Sequence, residues 1–417
     1  MKSAQHPSFT FERPVRPPPN PLELVTGCNR HNVANGIVGF IYATTGPLAI
    51  MLAVSTKGGL TTNDISSWIF GGYGLGGIMS ILFSLLYRQP IGMAWTIPGA
   101  ILLGPALTHL SFPEVIGAYL ATGILIFVLG MTGWIRKGMT AIPMPIVMGM
   151  VSGVFLPFCL KIVLAFQDAM WISLGMVLTF VVIFSIPRFA RVLPPVLGAL
   201  IVGMLIIIGT GKLGLDRPIP FTLVRPNLYM PAFSIRALLE LVIPLAVTVI
   251  GIHNAQGFAV LKTAGYTPPI NTLTVACGIG TLFFGIFGAV PACVTGPVNA
   301  ILNSSGRLEQ RYIGGIVFGI CIFLFGLFAP VATQVGLALP SAFIGMLGGL
   351  AMIRVLENAM KAAFRARFSL GALVTFIVTF SDITIFNVGA AFWGLVFGVA
   401  TSLLAEREDL KQMTSDK

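Results

Sequence analysis

The sequence predicts an all-α polytopic membrane protein with 14 transmembrane segments, built as two inverted 7-span repeats with short extended segments in spans 3 and 10. Three observations lead there. The 417 residues are 56% hydrophobic and 9% charged, where soluble proteins carry about 25% charged residues. Hydropathy runs without alternation through windows such as VLGALIVGMLIIIG (196–209), unlike the alternating strands of a transmembrane β-barrel. Two short segments, 90–107 and 289–303, are interrupted by prolines at corresponding places in the two halves.

A bilayer core about 30 Å thick takes roughly 20 apolar residues per helical crossing. The first half offers windows near 33–54, 64–87, 90–107, 113–135, 142–166, 169–187 and 193–210. After a polar stretch at 211–236, the second half offers 237–261, 271–288, 289–303, 312–334, 338–361, 369–386 and 389–405. Residues 1–30 are polar and proline-rich, with no short apolar run or small-residue cleavage site, so no signal peptide is expected. The five cysteines are scattered without CxxC spacing, which predicts neither a disulfide framework nor a zinc site.

The net charge of +11 reads as topology rather than as an acidic partner. With an inside amino terminus, 19 of the 25 Lys and Arg fall on the cytoplasmic side, among them Arg30, Arg88, Arg136, Lys137, Arg188, Arg191, Lys262, Arg307 and Arg311. The other six are Lys57, Lys161, Lys212, Arg217, Arg225 and Arg236. Both termini are therefore expected in the cytoplasm of a cell (inner) membrane protein.

The halves echo each other. GILIFVLG (123–130) returns as GICIFLFG (319–326), and GMVSG (149–153) as GMLGG (345–349), both displaced by 196 residues. A displacement of seven spans is odd, so the second copy lies upside down relative to the first, as in many secondary transporters. Low-complexity Gly/Ile/Phe sequence repeating by composition alone is the competing reading.

The broken spans read MAWTIPGAIL (93–102) and AVPACVTGPVNAIL (289–302), each with a Thr-x-Pro, at Thr96–Pro98 and Thr295–Pro297. Extended chain at mid-membrane survives only if it pairs with protein or lines a cavity. Each segment would then start a half-helix at Thr96–Gly99 or Thr295–Val298, whose free amides and positive dipole end suit a carboxylate. Candidate contacts here are Trp95, Thr96, Ile97, Pro98, Gly99, Cys293, Val294 and Thr295. Prolines also kink ordinary packed helices; the equivalent positions of these two segments favour a site.

Spans 1 and 8 should flank it. Aligning Gly46 with Gly257 sets Tyr42 opposite His253 and Thr45 opposite Gln256, and GIHNAQG is the most polar mid-span run in the chain. His253 titrates near physiological pH and is the candidate proton carrier; its other reading is a neutral imidazole tying two helices together. Asn254 and Gln256 beside it favour ligand contact, and Trp95, Phe258 and Tyr42 offer rings to sandwich a planar guest. Trp134 and Trp171 read as interface anchors. Lys161 reads as a snorkelling side chain without chemistry, and Asp382 and Glu240, rival proton-coupling groups, as residues near water at span ends. Arg354, Glu357 and Lys361 read as one solvated helix face.

HExxH, P-loop, GxSxG and Cys/His metal spacings are missing, so the chain is not expected to be an enzyme or an ATP-driven pump, and no cofactor, metal or nucleic-acid partner is expected.

The segments AWTIPGA (94–100), NAQGFAVLKTAGYTPP (254–269) and AFWGLVFG (391–398) resemble the benzoate transporter (BenE) family, over essentially 30–405. That family is similar to the uracil-permease and sulfate-permease superfamily. The resemblance implies a core domain of spans 1–4 (31–140) and 8–11 (237–337), and a gate domain of spans 5–7 with its loop (141–236) and 12–14 (338–405). Cytoplasmic tails at 1–30 and 406–417 flank them. It further implies proton-coupled uptake of benzoate or a related aromatic carboxylate, with the core moving as an elevator against the gate in a homodimer. One departure bears on the site. Uracil permeases are expected to hold acidic residues in spans 8 and 10, whereas this chain has His253 in span 8 and no Asp or Glu between 289 and 303, which suits an anionic ligand. The rival readings are a passive anion channel on the same scaffold, a symporter for a nucleobase or inorganic anion, and an intramembrane enzyme, which the lack of converging catalytic residues disfavours.

Overall fold

Long apolar runs must close their amide hydrogen bonds internally, and most of this chain does so as helix. The computed structural model describes residues 11–14, 17–133, 143–186, 193–211, 214, 221–365, 367–383, 385 and 390–409. Trp134, Arg136, Lys137, Arg188, Arg191, Lys212, Arg217 and the outer parts of both tails lie outside the described residues.

A short α1 (Pro21–Gly27) leads into α2 (Arg30–Lys57) and α3 (Thr62–Tyr87). There follow β1 (Met93–Trp95), α4 (Ile97–Ala106), α5 (Phe112–Met131), α6 (Met144–Asp168), α7 (Met170–Ser185) and α8 (Pro195–Gly209). The second half begins with α9 (Ile235–Thr263) and α10 (Ile270–Ile286), then β2 (Ala292–Val294) and α11 (Gly296–Leu302). It ends with α12 (Tyr312–Leu327), α13 (Ala329–Leu337), α14 (Ser341–Phe364), α15 (Ser369–Phe380) and α16 (Ala390–Ala405). Among the described residues, 7 helices are long and apolar enough to cross a membrane, and shorter apolar helices run 10–17 residues.

Prolines account for two departures from the expected windows. The window 312–334 is two helices, because Pro330 has no amide to continue α12 and instead opens α13. The window 33–54 is interrupted at Thr45 (φ −92, ψ −89), two residues before Pro47. Described residues 221–234 form no regular element. They cross the helix ends instead, with the Val224 amide on Leu327 O, Tyr229 on Ile286 O and Ala232 on Pro113 O, each at 2.9 Å.

The proline-broken segments are extended and meet. β1 and β2 pair antiparallel in the register Met93↔Val294, Ala94↔Cys293 and Trp95↔Ala292. The pairing extends at both ends, where the Thr96 amide donates to Pro291 O and the Thr295 amide to Gly92 O, both at 3.0 Å. The outward-facing amides find hydroxyls: Met93 donates to Ser80 Oγ at 2.8 Å and Ala292 to Thr281 Oγ1 at 3.0 Å. Side-chain amides complete the set, with Gly92 donating to Asn299 Oδ1 at 2.7 Å and Val294 to Asn254 Oδ1 at 2.8 Å. Extended backbone in a buried layer is thereby satisfied.

Helices around this ribbon pack through glycine. α3 lies on α12 and α5 lies on α10. A Cβ placed on Gly319 would sit 2.7 Å from Gly77 O, and one on Gly123 would sit 3.0 Å from Gly278 O. Likewise Gly326 faces the Gly74 amide at 2.5 Å and Gly130 the Val275 amide at 2.8 Å. The repeated octapeptides thus hold the four glycines that let these backbones touch, which is how helices associate where lipid is as apolar as their side chains.

Gly123→Val and Gly319→Val should each destabilise the protein by about 1–3 kcal/mol through overpacking. Gly209→Val, at a position with nothing within 4 Å, should be close to neutral. Thermal unfolding in detergent checks this; equal melting temperatures for all three would contradict the packing argument.

Candidate functional site

Beside the ribbon lies a cavity of about 30 Å³, walled by Tyr42, Tyr73, Trp95, Ile97, His253 and Thr295 together with Ala43, Pro47, Ala94, Pro297 and Val298. That is room for about two waters, so the walls are drawn together in this conformation.

His253 is the polar group turned into it. The residue is 6% exposed, and among the described residues neither ring nitrogen has a hydrogen-bond partner. A buried polar group left unpaired costs about 1–3 kcal/mol. It belongs to a π-helical stretch of α9, Thr248–Asn254, whose wider turn sets the imidazole toward β1.

Tyr73 comes from a second π-helical stretch, Phe70–Leu75 in α3. Its hydroxyl donates to Ala43 O at 2.7 Å. Pro47, four residues on from Ala43, has no amide to fill that carbonyl, so the phenol takes the role and holds the bend of α2 at the cavity. The Tyr73 ring stands edge-on to Trp95, centroids 5.9 Å apart at 83°. Trp95 in turn lies on Gly72, where an added Cβ would be 2.7 Å from the indole Cδ1.

The two half-helices differ at their starts. Thr96 Oγ1 accepts the Gly99 amide at 3.3 Å and donates to Thr248 Oγ1 at 3.1 Å, so α4 is capped from within. Thr295 instead sends its hydroxyl to Gly92 O at 3.1 Å and caps nothing. The first-turn amides of Ile97, Gly296 and Val298 lack intrahelical partners, as at any helix start.

Of the residues singled out in the sequence, Tyr42, Trp95, Ile97, His253 and Thr295 line the cavity. The others sit around it. Thr45 bonds Tyr42 O; Thr96, Pro98 and Gly99 build the start of α4; Cys293 and Val294 are fully buried in β2. Asn254 gives Oδ1 to the Val294 amide and Nδ2 to Cys277 Sγ, so it holds β2 rather than facing the cavity. Gln256 is exposed, lying where a Cβ on Gly296 would go, and Phe258 is buried among Met93, Ile250 and Val294. Tyr73, Ala43, Pro47 and Ala94 were not anticipated, while Pro297 and Val298 fall within the half-helix start expected at Thr295–Val298. Pro47 signals an unfilled carbonyl at Ala43 but not which donor fills it.

Two further expectations change. Glu240 is not near water but 4% exposed, bonded to His109 Nε2 at 3.0 Å, because the loop after α4 folds over the start of α9. Lys161 is half-buried with its Nζ 5.0 Å from the Phe158 ring centroid, so its head faces the protein. Glu357 does bond both Arg354 and Lys361, on an exposed helix face.

A family model described as "Benzoate membrane transport protein" (BenE) matches residues 26–404. Inner membrane protein YdcO of Escherichia coli (strain K12) is 32% identical over 382 residues, 89% of this chain and 96% of that protein. A benzoate membrane transport protein of Acinetobacter baylyi is 28% identical over 370 residues, 87% of this chain and 92% of that protein. Among solved structures, the transmembrane domain of a cyanobacterium bicarbonate transporter, BicA, aligns with a TM-score of 0.57 at 18% identity, covering 89% of this chain and 98% of that one. The murine anion transporter Slc26a9, in its inward-facing state, aligns with a TM-score of 0.59 at 13% identity, covering 91% of this chain and 70% of that one. These two show the fold. A multi-pass helical bundle around a broken-helix site, matched by that family over nearly its whole length, makes this chain a membrane transport protein of the benzoate transport family, not an enzyme.

Proposed function

We propose that the protein is a secondary active transporter that takes up benzoate or a related aromatic carboxylate together with protons, by an elevator motion of a core domain against a gate domain. The observation that carries this reading is His253, which lines a cavity with Tyr42, Tyr73 and Trp95 and whose two ring nitrogens have no hydrogen-bond partner among the described residues. Aromatic walls fit a planar ring, and the helix starts at Ile97 and Gly296 favour negative charge. A protonated imidazole beside a carboxylate gives a neutral pair, which is far less costly to carry across a low-dielectric layer than a lone anion. Residues 289–303 contain no carboxylate to repel such a guest.

The proposed architecture is 14 spans in two inverted repeats, with the core at 31–140 and 237–337 and the gate at 141–236 and 338–405. Matched contacts support it. Exchanging the halves turns Thr96–Pro291 into Thr295–Gly92, Ser80–Met93 into Thr281–Ala292, and Gly123–Gly278 into Gly319–Gly77. The proposed setting is the inner membrane, in line with the name of the Escherichia coli relative, and the proposed state there is a homodimer with both termini cytoplasmic.

Uptake of labelled benzoate into proteoliposomes should rise with an inward proton gradient and accumulate above equilibrium without a membrane potential, which a channel cannot do. His253→Ala should abolish the proton dependence; unchanged coupling in that variant would remove His253 from the mechanism. Trp95→Ala should weaken apparent affinity for benzoate by up to about tenfold, the value of one aromatic contact. Gly72→Ala should shift affinity the same way by pushing the indole, and concentration dependence of initial uptake rates measures both.

A further inference from the structure

A larger cavity, about 310 Å³, opens between α2, α4 and α9 on one side and α6, α15 and α16 on the other. It lies toward the bundle end where α2 and α15 finish and α9 and α16 begin, opposite the end that holds Arg30 and Lys262. Ile101, Leu102 and Phe158 give it apolar walls, and four ionisable side chains reach it: Lys57, Lys161, Glu240 and Asp382.

These charges are not matched to one another. Glu240 is engaged by His109. Asp382 is exposed on a left-handed turn (φ 54). Among the described residues neither Lys57 nor Lys161 forms an ion pair. Lys161 is nonetheless positioned: its stem runs along Gly345, with Cδ 3.4 Å from where a Cβ there would sit, and its ammonium stands over the Phe158 ring. A half-buried ammonium that forms no ion pair among the described residues, on an aromatic wall, offers a carboxylate both a counter-charge and a surface for a ring.

The cavity also lies on a path. Ile97 in the first turn of α4 lines the small cavity at His253, while Ile101 and Leu102, one turn on, line the large one. One turn is about 5.4 Å. Resting on the reading of the protein as an aromatic carboxylate transporter, we infer that this cavity is a second, outer binding site for an aromatic monocarboxylate. Its charge lies between Lys57 and Lys161, and its ring lies against Phe158 and Ile101. Lys57 belongs to α2 and Lys161 to α6, so a ligand held by both loses one of them whenever those helices separate, and is passed along α4 toward His253.

The test is protection of the lysines from a membrane-impermeant acylating reagent, read residue by residue by mass spectrometry on purified protein. Saturating benzoate should slow modification of Lys161 by about tenfold, the scale of one charge-assisted contact, and slow Lys57 as well. Uncharged benzamide should not protect, and Lys262 at the opposite end should be unaffected. Protection should persist in His253→Ala, and Lys161→Met should remove the protection of Lys57. Unchanged rates with benzoate, equal protection by benzamide, or loss of protection in His253→Ala would each overturn the outer site. Persistent protection with no proton-driven uptake would instead leave the outer site standing and refute the proposed transport.

Discussion

Everything in this fold answers to one constraint: two stretches of non-helical backbone lie in the middle of an apolar bundle, and each of their amides and carbonyls needs a partner. An unpaired peptide group there costs several kcal/mol. The ribbon of Met93–Trp95 with Ala292–Val294 solves most of this internally, and Ser80, Thr281, Asn254 and Asn299 supply the rest. Residues that look like a polar binding cluster in the sequence are therefore partly scaffold. Asn254 is the clearest case, since its carbonyl oxygen accepts the Val294 amide while both ring nitrogens of its neighbour His253 have no partner among the described residues.

The same constraint explains the glycines. A ribbon only three residues long on each strand must be gripped closely by the helices beside it, and close approach of backbones requires residues without side chains. Gly76 shows the limit, where a Cβ would meet Met93 O at 3.0 Å, and Gly72 repeats it against the Trp95 ring. The glycines of the repeated octapeptides set the helix crossings one layer further out. Sequence self-similarity here records a shared packing demand, the approach of two backbones within van der Waals contact.

What could be read in advance follows from whether a signal is local. Proline interruptions are local, and the extended segments at 93–95 and 292–294 were legible from them; so was the Glu357 cluster, which depends only on helical spacing. Hydropathy located the helices but not their breaks at Thr45 and Phe328, where a proline two residues on is the only sign. Tertiary partners were not legible. Nothing in the sequence ties Tyr73 to Ala43 or His109 to Glu240, because the paired residues stand 30 and 131 positions apart, and the π-helical turns that aim Tyr73 and His253 have no compositional marker.

The size of the inner cavity adds a mechanical consequence. Thirty cubic ångströms holds about two waters, too little for a planar ring unless Tyr42, Trp95 and Ile97 draw apart. The ribbon resists such movement, since Trp95 is fixed by β-pairing, by the Tyr73 ring and by Gly72. Tyr42 is the softer wall: it lies in α2 just before the Thr45 break, and the hydroxyl of Tyr73 on Ala43 is what holds that bend in place. A bend held from outside its own helix by a side-chain hydrogen bond, about 0.5–1.5 kcal/mol, is a far weaker restraint than a ladder of backbone bonds. The weaker restraint on this cavity thus lies on the α2 side and the stronger one on the side of β1 and β2.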